Sequence, residues 1–294
     1  MHANEQSRRR KTSKYKSMAV KAFTIPSLFE VRFADRAGGC ERPHTHSSLI
    51  IAAVSKGTVS LQMNSYEICL GKEKVAAIGP HVRHCVCSYS PDFAGVYVLE
   101  ISSLPTGCEE FDEFHLQAFG SRVYQGKGSY DAFLVLCQTL LGRASVFDKV
   151  KVYIDWVYRL FSDRFSGDSP QIPQSYEPNS LANRIRKMLD EEWKEIPSYD
   201  DIARSCGCSK EHCNRVFKQT FNLTMQAYFL NQKAAKAREL LVSETRLTEI
   251  SLMCGFYDQS HFTRVFKAIY QISPQKYREA VLETRHSHTR KSDE

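Results

Sequence analysis

Between about Lys21 and Ser103 the apolar residues come in short runs: SLIIAAV, TVSLQM, YEICL, KVAAIG, HCVCS and GVYVLEI. Turn-like stretches of Gly, Asn and Pro separate them. Several β-prone runs at close spacing predict a β-sandwich or barrel. The period then changes. Val150, Tyr153, Ile154, Val157, Tyr158 and Phe161 fall at i, i+3, i+4, i+7, i+8 and i+11, one apolar stripe on an amphipathic helix. Phe133, Leu134, Cys137, Leu140 and Leu141 stripe a helix before it, with the join near Gly142. The pair reads as a helical hairpin that packs on the β region or forms a dimer seam.

SGDSPQIPQSYEPNS (Ser166–Ser180) carries three prolines with Gly and Ser. It cannot hold a helix and has little to bury, so it reads as an interdomain linker. Beyond it the pattern is helical to about Leu282, and two halves follow one plan. In the first, Ser198 caps a short helix with Asp200 and Asp201 in its first turn. Gly207 turns the chain and Ser209 caps a second helix. Cys213, Val216 and Phe217 form its buried stripe, and Glu211, Asn214, Arg215 and Lys218 its wet face. In the second half, Thr248–Cys254 is the short helix, Gly255 the turn and Asp258 the cap. Phe262, Val265 and Phe266 face inward; Gln259, Ser260, Thr263, Arg264 and Lys267 face water. Two helices joined by a glycine turn, the second basic and polar outside, describe a helix-turn-helix, here in tandem. Arg can bond guanine O6 and N7, Asn or Gln can bond adenine N6 and N7, and Lys218 and Lys267 at helix ends suit phosphates.

Charge supports that reading. The chain is 294 residues, 42% hydrophobic and 25% charged, with net charge +7, the profile of a globular protein long enough for two domains. Residues 22–174 hold fourteen basic and sixteen acidic side chains, whereas 199–278 hold twelve and seven. A basic domain behind a near-neutral one points to a polyanion such as double-stranded DNA. RRRKTSKYK (Arg8–Lys16) reads as a disordered leader or an extra phosphate-contacting arm. No apolar run approaches the ~20 residues of a membrane helix, and the N-terminus lacks a signal-peptide core. A cytoplasmic protein without a membrane partner is expected, its ten cysteines reduced. CGCSKEHC invites a zinc reading through Cys206, Cys208, His212 and Cys213. The spacing lacks a second CxxC-type pair, and Cys206 and Cys213 fall where the fold needs small apolar residues.

The stretch Ser198–Arg278 resembles the DNA-binding domain of the AraC/XylS family of bacterial transcription regulators. EISLMCGFYDQSHFTRVFKAIYQISPQKYRE matches that family's signature, and YFLNQKAAKARELL (Tyr228–Leu241) its linking helix, with Tyr228, Ala237, Leu240 and Leu241 in place. The resemblance implies base-facing positions at Glu211, Asn214 and Arg215, then at Gln259, Ser260, Thr263 and Arg264. It implies recognition helices entering major-groove segments about one turn, roughly 34 Å, apart. Three departures stand out: Asn222 and Gln271 occupy the usual glycine exits, Lys233 replaces a favoured arginine, and Glu211 would repel phosphate while able to accept from cytosine N4.

GGCERPHTHSSLIIAAVSKG resembles a first cupin motif (Gly38, His44, His46, Gly57), and IGPHVRHCV a looser second one (Pro80, His84). Cupin domains are small jelly-roll barrels able to hold one ligand. Cupin enzymes carry a metal-binding glutamate where Ile50 stands. His44, His46 and His84 could therefore bind a divalent metal without a carboxylate, line a metal-free effector pocket, or simply pack. Alternation along the strand places Cys85 and Cys87 outward if His84 looks inward, which leaves Cys40 as the nearby supplementary ligand.

The expected fold is therefore two-domain. An all-β cupin-like jelly-roll barrel with a helical hairpin precedes an all-α domain of two helix-turn-helix units joined by a long helix. The segments are a basic tail (1–20), the cupin-like effector domain (21–105), connector and hairpin (106–165), linker (166–180), DNA-binding domain (181–286) and a tail (287–294). The expected function is a non-enzymatic, sequence-specific transcription regulator, by resemblance an activator that meets RNA polymerase. Its barrel would sense a small-molecule effector, dimerise, or both, with no cofactor required. Two alternatives stand beside it: a cupin metalloenzyme with an accessory DNA-binding domain, and a regulator that works without a ligand.

Overall fold

The computed structural model describes residues 19–35, 43–89, 95–104, 116, 119–162, 171–172, 180–191, 198–270 and 272–289. Residues 1–18 of the basic tail, Cys40, Gly38 and Gln271 lie outside the described residues. Among the described residues, ten strands make two antiparallel sheets. Six of them are the runs that the sequence marks: β3 (Leu49–Lys56), β4 (Val59–Met63), β5 (Tyr66–Leu70), β6 (Lys74–Ile78), β7 (His84–Tyr89) and β8 (Gly95–Ile101). β1 (Val20–Ile25) and β2 (Phe29–Ala34) precede them as a hairpin; β9 (Ser121–Gln125) and β10 (Gln171–Ile172) follow. The large sheet runs β1-β2-β8-β3-β6-β9-β10 and the small one β5-β4-β7.

No strand pair joins the two sheets among the described residues, so the expected closed barrel is not formed. The large sheet ends in a β1–β2 hairpin edge, and β1 is instead packed by a helix of the C-terminal region. Alternation along β3 shows how the large sheet is buried on both faces. Ile50 and Val54 join Val59, Leu61, Met63 and Leu70 of the small sheet in one core. Ile51 and Ala53 point the other way, into a second core completed by helices.

Those helices are α1 (Lys127–Leu141) and α2 (Val146–Phe161). The hairpin packs on the sheet, with Phe29 stacked on Tyr153 at 4.2 Å and the Tyr130 hydroxyl donating to the Val54 carbonyl at 2.8 Å. The buried face of α2 is turned one position from the expected stripe. Lys149, Tyr153, Trp156, Val157 and Leu160 are buried, while Tyr158 is exposed. An apolar count could not place Lys149 inward. Its ammonium lies 4.0 Å from the Phe23 ring centre, a cation–π contact that lets a lysine share the packed face.

Burial lowers the Lys149 pKa to about 8. The unfolded chain therefore binds the proton more tightly between about pH 8 and pH 10.4. Stability of the natural protein should rise, relative to Lys149→Met, as pH climbs through that window. Paired denaturant titrations at pH 7.5 and 10 measure it; equal differences at both would contradict it.

The C-terminal region holds α3 (Leu181–Glu191), α4 (Tyr199–Cys206), α5 (Lys210–Phe221), α6 (Met225–Leu240), α7 (Leu247–Met253), α8 (Gln259–Tyr270) and α9 (Pro274–Thr289). Two cores share it. Ile185, Leu189, Ile202, Cys213, Phe217 and Tyr228 form the first. Ala237, Ile250, Phe262, Phe266 and Tyr277 anchor the second, which also takes in Ala22 of β1. No described helix is long and apolar enough to cross a membrane.

Candidate nucleic-acid interface and interdomain histidine cluster

Local chemistry builds both presenting helices. The Ser198 hydroxyl accepts from the Asp201 amide at 3.1 Å and starts α4. Gly207 ends α4 at φ 68°, a left-handed conformation that a side chain would strain. Ser209 then accepts from the His212 amide at 3.2 Å and starts α5. The second unit repeats this: Gly255 sits at φ 66° after α7, and the Asp258 carboxylate accepts from the His261 amide at 2.6 Å to start α8. α5 leaves through Asn222, which is left-handed at φ 52° as its exit position requires.

Cys213 and Phe217 pin α5 inward, and Phe262 and Phe266 pin α8 at the matching positions. Outward, Glu211, Arg215 and Lys218 are exposed and Asn214 half-buried. The Asn214 amide donates to the Lys210 carbonyl at 3.2 Å, and the Arg215 guanidinium to His212 Nδ1 at 2.9 Å. On α8, Gln259, Ser260, Arg264 and Lys267 are exposed and Thr263 half-buried; these five residues together line one open concavity. Lys233 of α6 donates to the Gly255 carbonyl at 2.6 Å, tying the linking helix to the second turn.

The cysteines beside the first turn pack together. The sulfurs of Cys208 and Cys213 are 3.2 Å apart, and burial pushes the Cys213 thiol up to about 12. Among the described residues, the group of three side chains able to share an ion is elsewhere: His44, His46 and His84, whose ligand atoms all lie within 4.8 Å of one another.

His44 and His84 are buried and His46 is half-buried. The backbones of His44 and His84 are locked together by reciprocal amide–carbonyl bonds of 3.0 and 2.9 Å. His84 donates its Nδ1 hydrogen to the Val82 carbonyl at 3.0 Å, which leaves Nε2 as a lone pair. Burial holds His46, at about 3, and His84 below the usual imidazole range, so both are neutral at pH 7. Cys85 is buried, but on the face opposite His84: Met63 pairs with His84 and Gln62 with Cys85 in regular register. The strand carries a bulge beyond Val86, where Leu61 pairs with Val86 but Ser60 with Ser88, which inserts one residue and breaks the period there.

Next to the histidines lies a clasp between the domains that the sequence reading missed. Glu30 of β2 and Glu100 of β8 are directly paired across the strands, like charges that need a counter-ion. Arg238 of α6 supplies it. Its guanidinium is bidentate to Glu100, one arm at 2.6 Å, and its Nε lies 3.7 Å from Glu30. Arg32 bonds Glu30 at 2.9 Å, the Tyr277 hydroxyl of α9 donates to Glu30, and Ser48 donates to Glu100 at 2.6 Å. Arg238 and Arg32 both sit over the ring of Tyr270, at 5.0 and 5.5 Å. Burial alone would raise the Glu100 pKa; the Arg238 charge and hydrogen bonds override it and hold the carboxyl well below the usual range. The available signal was an acid inside an apolar strand run, Leu99-Glu100-Ile101.

A second contact joins the first unit to the β domain. Arg186 of α3 donates to His81 Nε2 at 2.6 Å, and the other ring nitrogen meets the Tyr228 hydroxyl at 3.3 Å. Tyr228 in turn donates to Asp190 at 2.8 Å. α6 thus touches the β domain through Tyr228 near its start and Arg238 near its end, about 15 Å apart.

A family profile described as a helix-turn-helix domain matches residues 202–280. The xylose operon regulatory protein of Escherichia coli K12 is 36% identical over 81 residues, 27% of this chain but only 21% of that protein's length. The probable transcription factor PqrA of Proteus vulgaris is 33% identical over 103 residues, 34% of this chain and 84% of PqrA. In overall fold the chain is similar to ToxT of Vibrio cholerae, solved with an unsaturated fatty acid bound: TM-score 0.52, 13% identity, covering 92% of this chain and 97% of ToxT. With a helix-turn-helix profile matching residues 202–280, and PqrA 33% identical with 84% of its length covered, the chain belongs to the AraC family of transcriptional regulators.

Proposed function

We propose that α4–α5 and α7–α8 are two helix-turn-helix units that read successive major-groove segments of one operator. The carrying observation is a repeat in three dimensions. Two twelve-residue helices each follow a left-handed glycine turn, bury two matched side chains and turn Arg215 with Lys218, or Arg264 with Lys267, outward. Glu211, Asn214, Gln259, Ser260 and Thr263 complete the base-facing set. The two-sheet domain, with the His44, His46 and His84 cluster facing the DNA-binding domain, is the proposed effector module. ToxT, similar in fold, has been solved with a fatty acid bound, which supports a ligand-responsive arrangement. Activation through RNA polymerase follows from the family resemblance. A homodimer through the hairpin is supported by the exposure of Val135, Val146 and Phe147 there.

Selection of bound sequences from a random duplex pool by the full chain tests the proposal. The expected enrichment is a motif with two constrained segments about 10 base pairs apart. Recovery of an unenriched pool would overturn sequence-specific reading.

A further inference from the structure

We propose that His44, His46 and His84 bind one late first-row divalent cation, with Zn2+ as the type case, and that this ion is the effector that loosens the Arg238–Glu100 clasp. The inference rests on the regulator reading above and names the ligand class for it.

Four observations carry it. Three imidazole ligand atoms lie within 4.8 Å of one another, close enough that small side-chain shifts bring them to the ~2.0–2.1 Å metal–nitrogen distance of such sites. His84 is held as ligand histidines often are: its Nδ1 hydrogen is spent on the Val82 carbonyl, which leaves Nε2 as the lone pair. The backbone bonds between His44 and His84 fix the backbones of two of the three ligands in advance, and His46 is the half-buried member of the set. An acid is near: Glu100, paired across the strands with Ile50, lies close enough for its charge to act on His46. An all-nitrogen set favours Zn2+, Ni2+ or Co2+ over Mg2+ and Ca2+, which prefer oxygen.

The placement gives the ion something to act on. A divalent charge among the histidines attracts Glu100 and repels Arg238 and Arg32, whose charges already act on His46. Glu100 is shared between two claims: the guanidinium of α6 and the ion. Tyr270, the last residue of α8, lies with its ring 6.0 Å from that of His46 and beneath Arg238. Weakening the clasp therefore releases the end of the second DNA-facing helix. An ion acts this way only by binding the loosened arrangement more tightly than the clasped one.

Co2+ titration of the chelator-stripped full chain, followed by visible absorption, tests the site, with Zn2+ affinity from competition against a chromogenic chelator. One equivalent is expected, with a tetrahedral-type Co2+ spectrum, and Mg2+ should not compete. His46→Gln, at the half-buried position, should weaken Zn2+ at least about 100-fold while its thermal melt stays cooperative; His44→Gln is the second variant. No stoichiometric binding, or binding unchanged in both variants, overturns the site. Zn2+ should also shift affinity for the selected duplex in the natural protein and not in His46→Gln; an unchanged affinity with the ion bound overturns the coupling. If selection from random DNA fails while one Co2+ still binds, the regulator reading fails and the metal centre stands alone.

Discussion

Replacing Arg238 with alanine is expected to destabilise the protein by about 3–5 kcal/mol, because it leaves the buried Glu100 with only the Arg32 guanidinium 3.9 Å away, while Glu30 opposite it on β2 keeps Arg32 and Tyr277. Arg238 is 8% exposed and Glu100 2%, so bulk solvent does not reach the carboxylate in the natural fold. The size of the effect belongs to the uncompensated charges rather than to the net worth of the ion pair. Two further results follow. Adding Glu100→Gln to the Arg238 variant should recover part of the loss, since a neutral amide needs no counter-ion and can still meet Ser48. Acid should narrow the gap as well. The Glu100 pKa is depressed in the natural fold, so its contribution is present above the unfolded value near 4.3 and is lost as pH falls below it. In the variant the same carboxyl is raised by burial and gains stability on protonation. Denaturant midpoints at pH 7 and pH 4 for the three proteins measure this; a constant difference at both would contradict it.

Arg264→Ala is expected to weaken binding to the selected duplex by about 1–3 kcal/mol, roughly 5- to 150-fold, and to relax base preference in one of the two segments only. Arg264 is exposed on the middle of α8, and its neighbours Gln259, Ser260, Thr263 and Lys267 line the same concavity. An exposed arginine with no packing role leaves the fold intact, so the thermal melt should be unchanged. Lys267→Ala should differ in kind, lowering affinity for all sequences and flattening the salt dependence by about one unit of slope. Identical effects of the two substitutions would remove the distinction between base and phosphate contacts.

The parts legible in the sequence are those fixed by local chemistry. Ser198, Ser209 and Asp258 cap the helices they were expected to cap, and Gly207 and Gly255 are left-handed, because capping and turn geometry depend on a few adjacent residues. Asn222 fills a glycine exit for the same reason. Six strands carry dense β-branched or aromatic runs and were marked; β9, Ser-Arg-Val-Tyr-Gln, carries too little pattern to be seen. Sheet closure is a long-range property, and the strand runs are equally consistent with two open sheets. The face of α2 was misplaced by one position because Lys149 is buried, an inward polar residue that periodicity counts as outward. The clasp was hidden similarly. Arg238 reads as one more cation on a basic helix, and its partners lie 138 and 208 positions away, at Glu100 and Glu30.

Hydroxyl-radical footprinting of the full chain on its selected duplex tests the central claim, two reading helices on one operator, most directly. Two protected clusters on one face of the duplex, centred about 10 base pairs apart, are predicted, with Arg215→Ala weakening one cluster and Arg264→Ala the other. A single protected cluster, or one that both substitutions weaken alike, would contradict it.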